Sequence, residues 1–193
     1  MTKTKNQIIN VAKELFQKVS VYKLTMNDIA TAAKMSRRTL YTHFKSKTDI
    51  YHYVVENEVR AINRKLQKAA DSQLPPDRKL RLYVIQHFNV IDSLTKTNRY
   101  IRYDFLFNNL RVENLRKDID KKEIELLTKI IIEGNSMEIF KINNPAEFSK
   151  TLLLTFKSLE QAFILNSKKG RSTQRILEYI DILFYGIMNN QQF

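Results

Sequence analysis

Thr25-Met26-Asn27-Asp28-Ile29-Ala30-Thr31-Ala32-Ala33-Lys34-Met35-Ser36-Arg37-Arg38-Thr39-Leu40-Tyr41-Thr42-His43-Phe44-Lys45-Ser46-Lys47 is the stretch on which the reading turns. Thr25 can accept a free first-turn amide, and Asp28 three residues on completes the pattern of a capping box, so a helix starts here. Ser36 starts a second helix after the two-residue interval Lys34-Met35, running to about Phe44; Ser46 with Asp49 repeats the cap before a long helix toward Ala70. Ala30 and Ala33 are small enough for close helix contact, while Met35, Leu40 and Phe44 are spaced to lock the second helix onto the first. What is left facing outward is polar, basic and aromatic: Arg37, Arg38, Thr39, Tyr41, Thr42 and His43, following Ser36. Two short helices across a tight turn, the second with such a face, have the character of a helix-turn-helix whose recognition helix reads base edges and phosphates.

Outward from this stretch the chain stays helical in pattern. Ile8, Ala12, Leu15, Phe16 and Val19 form an earlier stripe that stops near Ser20. Pro75-Pro76-Asp77 opens a helix with Leu80, Val84, Phe88 and Ile91 as its stripe, since proline suits a first turn. An aromatic segment follows from Tyr100 to Leu110, then Ile124, Leu127 and Ile131 with Gly134 beyond them, and Asn143-Asn144-Pro145 ends that run. Phe148, Leu152, Phe156, Leu159 and Phe163 share one face; the final helix carries Ile176, Ile180, Leu183 and Ile187 beside Leu177, Phe184 and Met188, an arc wide enough to need cover on more than one side. With three Gly and three Pro in 193 residues, the expected fold is all-α. The expected division is a three-helix head, residues 1–48, and a helical body, residues 49–193.

Composition narrows the function. No Cys is present, which removes disulfides, thiolate metal sites and thiol nucleophiles. No apolar run approaches the length of a membrane span, and the polar first residues lack a signal-peptide pattern, so a cytoplasmic protein with no membrane partner is expected. The net charge is +13 and unevenly placed: residues 1–50 hold ten Lys and Arg against three acids, a balance of +7, leaving +6 for the other 143. A basic head on a more neutral body is the footprint of a polyanion-binding module. Asp49, His52 and Glu56 share a helix face, yet two acids around one imidazole with no second imidazole or thiol nearby read as an exposed electrostatic group, so no metal is expected. No Gly-rich phosphate loop, nucleophile elbow or triad is present, and neither enzyme chemistry nor a cofactor is expected.

The run Asp28-Ile29-Ala30, then Met35-Ser36, then Thr39-Leu40-Tyr41 with His43-Phe44-Lys45-Ser46-Lys47, preceded by Ala12 and Leu15-Phe16, resembles the signature of TetR-family transcriptional regulators. The resemblance covers about the first fifty residues. It implies that Arg37 and Arg38 face bases, and that Thr25, Thr39, Tyr41, His43 and Lys47 hold the phosphate backbone, in keeping with the bidentate match of arginine to guanine and the donors of phenol, imidazole and ammonium. Ser36 and Thr42 complete the expected DNA-facing set. Three residues depart from the family pattern, Ser20, Lys34 and Arg38 each standing where glycine is common; Lys34 at positive φ would cost roughly 1 kcal/mol, and Arg38 adds a charge that makes the base preference the chain's own.

The resemblance further implies a repressor that binds a palindromic operator as a homodimer and leaves double-stranded DNA when a small-molecule effector binds its body. His87, Phe88, Tyr100, Tyr103 and Phe107 are the candidate effector-pocket residues, although aromatics at helical spacing equally describe a packed core. Phe156, Leu159, Phe163, Ile180, Phe184 and Ile187 are the candidate dimer residues, in a four-helix bundle across the two-fold axis. The alternative is an architectural or partner-binding protein that coats DNA without effector control, which salt and competitor dependence would separate from specific binding.

Overall fold

The computed structural model describes residues 3–97 and 113–165 and, of the C-terminal stretch, 178, 181–182 and 184–186. Among these the fold is all-helical, as the periodicity requires: α1 Lys3–Lys18, α2 Met26–Ala32, α3 Arg37–His43, α4 Lys47–Ala70, α5 Pro76–Thr97, α6 Glu113–Ser136 and α7 Pro145–Leu165. No helix among the described residues is long and apolar enough to cross a membrane. The chain divides into two compact units: the first holds Met1–Ala61 and Leu94–Arg116, the second Ile62–Ser93 and Lys117–Phe193.

The first unit is built on an apolar core from α1 to α4. Ile8, Ala12, Phe16, Ile29, Leu40 and Ile50 are fully buried, with Phe44 and Tyr51 nearly so. Phe16 and Tyr51 meet edge to face at 5.4 Å, the arrangement that the ring quadrupoles favour. Gln7 Nε2 donates to the Ala33 carbonyl at 3.3 Å, tying α1 to the end of α2. Helix α2 stops on a left-handed residue, Lys34 at φ 54°. Lys34 N donates to Thr31 O at 3.0 Å and Met35 N to Ala30 O at 2.9 Å, so the orphan carbonyls of the last turn are met in a Schellman arrangement.

In the second unit the core combines Leu66, Leu80, Val84, Leu127, Ile130, Ile131, Leu152 and Phe156 with four buried polar residues, Lys79, His87, Glu123 and Ser149. Helix α6 ends like α2: Glu138 takes φ 58°, Glu138 N donates to Asn135 O at 3.1 Å and Ile139 N to Gly134 O at 2.9 Å. Gly134 therefore lies inside the helix and not beyond it. It is glycine because the Phe140 ring packs directly on its Cα, where any Cβ would collide.

Two expectations for the body change here. Phe156 and Phe184 are only 3% and 8% exposed within the single chain, so neither has surface left to bury against a second copy. Phe156 packs on the rings of His87 (5.1 Å) and Phe88 (5.7 Å), and Arg81, ion-paired to Asp181, lies over the Phe184 ring. Leu159 is half-buried. Ile180, Ile187 and the side chain of Phe163 lie outside the described residues, as do Tyr100, Tyr103 and Phe107.

Candidate nucleic-acid interface

Caps at α2 and α3 fix the geometry of the site. Thr25, extended at φ −112° and ψ 164°, accepts Asp28 N at 3.2 Å, while the Asp28 carboxylate accepts Thr25 N at 2.8 Å and Thr25 Oγ1 at 2.7 Å. The side-chain and backbone hydrogen bonds from Thr25 hold the Asp28 carboxyl below the ordinary range, so the box stays ionised near neutral pH. Ser36 accepts Thr39 N at 3.0 Å, and the two hydroxyls meet at 2.9 Å. Thr42 Oγ1 donates back to Thr39 O at 2.7 Å.

Helix α3 is anchored from beneath by Leu40, fully buried, and by Phe44, whose backbone N–H donates to Leu40 O at 3.0 Å. The opposite face of α3 is open: Arg37, Arg38, Tyr41 and Thr42 are exposed, and Thr39 and His43 are half-buried. Of the residues forecast as DNA-facing, Arg37, Arg38, Thr39, Tyr41, Thr42 and His43 lie on this seven-residue helix, Ser36 caps it, and Thr25 is exposed at the start of α2. Chemically this is a surface of two guanidiniums, a phenol, hydroxyls and an imidazole, donors suited to base edges and phosphate oxygens.

Lys47 is placed differently from the forecast. Its ammonium donates to the carbonyls of Tyr22 at 3.0 Å and Leu24 at 2.8 Å, in the loop between α1 and α2. Asp49, considered above with His52 and Glu56, is occupied in capping α4: its carboxylate accepts Lys45 N at 3.1 Å, and its own N–H donates to Ser46 Oγ at 3.1 Å.

In the second unit the candidate effector residues His87 and Phe88 are 3% and 4% exposed. His87 Nδ1 lies 2.7 Å from Glu123 Oε2 and Nε2 lies 2.5 Å from Glu160 Oε1, so both ring nitrogens are taken and neither is left to anchor a ligand. Burial opposes the imidazolium, but Glu123 and Glu160 together outweigh it and push the His87 pKa up to about 10. Tyr83 donates to the same Glu123 oxygen at 3.1 Å; burial and that carboxylate raise the phenol above its ordinary value. Sequence reading found His87 but missed Tyr83, Glu123 and Glu160. One signal was present: Lys79, Tyr83 and His87 recur every four residues, a polar stripe on an otherwise apolar face of α5. Two open clefts elsewhere in this unit, of about 740 and 660 Å³, are lined mainly by polar residues at the end of α4 and the start of α5 and include neither His87 nor Phe88.

Comparison with known proteins agrees with this geometry. Residues 8–54 match the family model described as bacterial regulatory proteins, tetR family. The chain is 31% identical over 97 residues to a probable HTH-type transcriptional regulator, ArpR, of Pseudomonas putida, a match spanning 48% of this chain and 46% of that one. It therefore spans about half the length of that curated relative. Two solved structures share the fold over nearly the whole chain. SmeT, the repressor of the Stenotrophomonas maltophilia multidrug efflux pump SmeDEF, has 16% identity and a TM-score of 0.76, covering 98% of this chain and 92% of its own. The transcriptional regulator FadR from Bacillus subtilis, solved with stearoyl-CoA, has 19% identity and a TM-score of 0.72, covering 94% and 98%. The capped helix-turn-helix lies within residues 8–54, which are similar to the tetR family of bacterial regulatory proteins, and the chain shares its all-helical fold with regulators of solved structure.

Proposed function

We propose that the protein is a DNA-binding transcriptional repressor acting in the cytoplasm, residues 1–48 serving as the DNA-binding head and residues 49–193 as the effector-binding and dimerisation body. The observation that carries this is the open face of α3: Arg37, Arg38, Tyr41 and Thr42 exposed on a helix whose other side is fixed by Leu40. Arg37 and Arg38 read base edges; Thr25, Ser36, Thr39, Tyr41, Thr42 and His43 orient the helix on the duplex. The function is regulation and not catalysis, and the operator is palindromic because two heads must enter successive major grooves about 34–36 Å apart or a multiple of that.

The second head comes from a second copy. The apolar side chains that a single chain leaves in water include Leu154 on α7, 66% exposed, and Ile182 and Tyr185 of the C-terminal segment, 69% and 79% exposed. These replace Phe156 and Phe184 as the interface to test, beside Leu159. Leu154→Glu is expected to give monomers that no longer hold the operator, and an unchanged dimer in sedimentation would remove Leu154 from the interface. A small-molecule effector acts by binding the body more tightly in a geometry whose heads do not match the operator.

Fluorescence anisotropy on the upstream duplex of its own gene and on a scrambled duplex, across a salt series, tests the reading. A preference that survives near-physiological salt supports an operator-binding regulator. Equal binding that collapses with salt on both duplexes favours an architectural DNA-coating protein. Arg37→Ala and Arg38→Ala should each weaken the specific site by about 1–3 kcal/mol and leave the scrambled duplex much less affected.

A further inference from the structure

His87 and Phe88 are closed to a ligand, whereas the second unit holds open volume beside the end of α4. The cleft of about 740 Å³ there is lined by Arg64, Lys68 and Asp71 and, from α6, by Lys122. Three cations stand against one carboxylate, and that carboxylate is already engaged. Asp71 accepts Lys129 Nζ at 2.8 Å on one oxygen and Gln67 Nε2 at 2.7 Å on the other. Among the described residues Arg64 and Lys68 have no ion pair, and Lys122 has a loose one, to Glu125 at 3.7 Å on its own helix. Two of the last carbonyls of α4 are met without these cations: Asp71 N donates to Gln67 O at 2.8 Å, and Ser72 N and Oγ donate to Ala69 O at 3.3 and 2.8 Å. The neighbouring cleft of about 660 Å³ differs, since Lys79 pairs with Glu133 and Lys129 with Asp71, so its charges cancel. Asn63 adds a second signal. It lines the cationic cleft, and its Oδ1 is shielded from solvent with no hydrogen-bond partner among the described residues; such an acceptor is costly until something donates to it.

We propose that this cleft binds a phosphorylated small molecule, with Arg64, Lys68 and Lys122 taking the phosphate oxygens and Asn63 accepting from a hydroxyl or amino group of the organic part. A phosphate monoester offers three acceptor oxygens and about two negative charges, a carboxylate two oxygens and one charge, so the former is the better match to a guanidinium and two ammoniums. The volume lies within the roughly 300–1,000 Å³ of small-molecule sites, which leaves room for more than inorganic phosphate. The proposal deepens the effector reading above and rests on it for any link to DNA release; the binding itself does not depend on that reading.

Calorimetric titration of the full chain at near-physiological salt tests the site, with adenosine diphosphate, inorganic pyrophosphate and adenosine as probes. Adenosine diphosphate should bind, pyrophosphate should bind more weakly, and adenosine should not bind. The basic head also attracts anions, so two double variants are compared, each shown by circular dichroism to fold. Arg64→Gln/Lys122→Gln should weaken adenosine diphosphate about tenfold or more, and Arg37→Ala/Arg38→Ala should bind it as the wild type does. The opposite pattern places the probe on the head and overturns the proposal, as does the absence of binding by both phosphorylated probes. Pyrophosphate binding as tightly as adenosine diphosphate also overturns it, leaving a site for an inorganic anion alone. A salt exponent on a random-sequence duplex that falls in Arg64→Gln/Lys122→Gln makes the cleft a DNA-phosphate surface and overturns it too. Adenosine diphosphate that binds through the cleft and leaves duplex affinity unchanged upholds the site and rejects the effector reading instead.

Discussion

The head and the body handle charge in opposite ways. In the first unit every buried side chain among the described residues is apolar or aromatic, and ionic groups stay on or near the surface. The second unit buries Lys79, His87 and Glu123, with Lys79 paired to Glu133 at 2.7 Å and His87 held between two carboxylates. A head with an apolar interior keeps its cations for the outside and for its own edges. A body with charges inside has its helices α5, α6 and α7 joined through groups that tolerate no misalignment, since an ion left without its partner at low dielectric is costly. The lesson is that a net charge of +13 describes neither part: what matters is where each charge ends.

Glu123→Ala should break the contrast most severely. It strips the acceptor from both Tyr83 and His87, leaving a buried cation half-compensated, and about 3–5 kcal/mol of unfolding free energy should be lost in a urea titration. The triple variant His87→Leu/Glu123→Leu/Glu160→Leu should lose less than the single one, because removing the imidazole with both carboxylates leaves no orphaned charge. If the single change costs under about 1 kcal/mol, the hub does not hold the body together. The head's counterpart is Leu40→Ala, which creates a cavity under α3; about 2–5 kcal/mol should go, with duplex binding lost at temperatures where the variant unfolds.

Acid and alkali should separate the same two regions. The folded-state pKa of His87, up to about 10, lies above the ordinary 6.5. Its contribution is therefore complete below about pH 6.5 and declines as pH rises through the folded value, at most about 1.4 kcal/mol per pH unit for one proton. Asp28 is shifted the other way: its carboxyl is lowered from 3.8, so the α2 capping box contributes above that value and is lost as pH falls through the folded one. Urea titrations between pH 7 and 9.5, below the range where Tyr83 ionises, should show wild-type stability falling with pH and His87→Gln staying flatter. Parallel slopes would remove the imidazolium from the account.

These contrasts also explain what the sequence made legible. The boundaries of α2 and α3 follow from chemistry within four residues, Thr25 with Asp28 and Ser36 with Thr39, and such local signals can be read directly. The open face of α3 follows from helical periodicity around Leu40. What escaped was set over distance. Lys47 points at carbonyls more than twenty residues behind it, and the acids that claim His87 lie 36 and 73 residues ahead on other helices. Periodicity could say that the Phe156 and Phe184 faces are covered, but not that their own chain covers them. Gly134 is explained by the close approach of Phe140, a contact that nothing local to it announces, and the left-handed residue after α6 is Glu138.

The smallest expected effects concern how each unit ends a helix. Thr25→Ala removes the α2 cap and should cost about 1 kcal/mol. Lys34→Gly should do the reverse. Lys34 and Glu138 occupy equivalent left-handed positions after α2 and α6, and a Cβ there is strained, so glycine at 34 should raise the unfolding free energy by about 0.5–1 kcal/mol, read as a higher urea midpoint at constant slope. Lys34 is exposed and stands two residues before Ser36, the N-cap of α3. A lysine kept against backbone strain is explained if its charge serves binding. Lys34→Gly should then lower the salt exponent for duplex binding by close to one phosphate's share, about 0.9, even as it stabilises the fold. A stability gain with an unaltered exponent would show that the strain at 34 serves nothing in DNA binding, and the head's outward charge would have to be reckoned without Lys34.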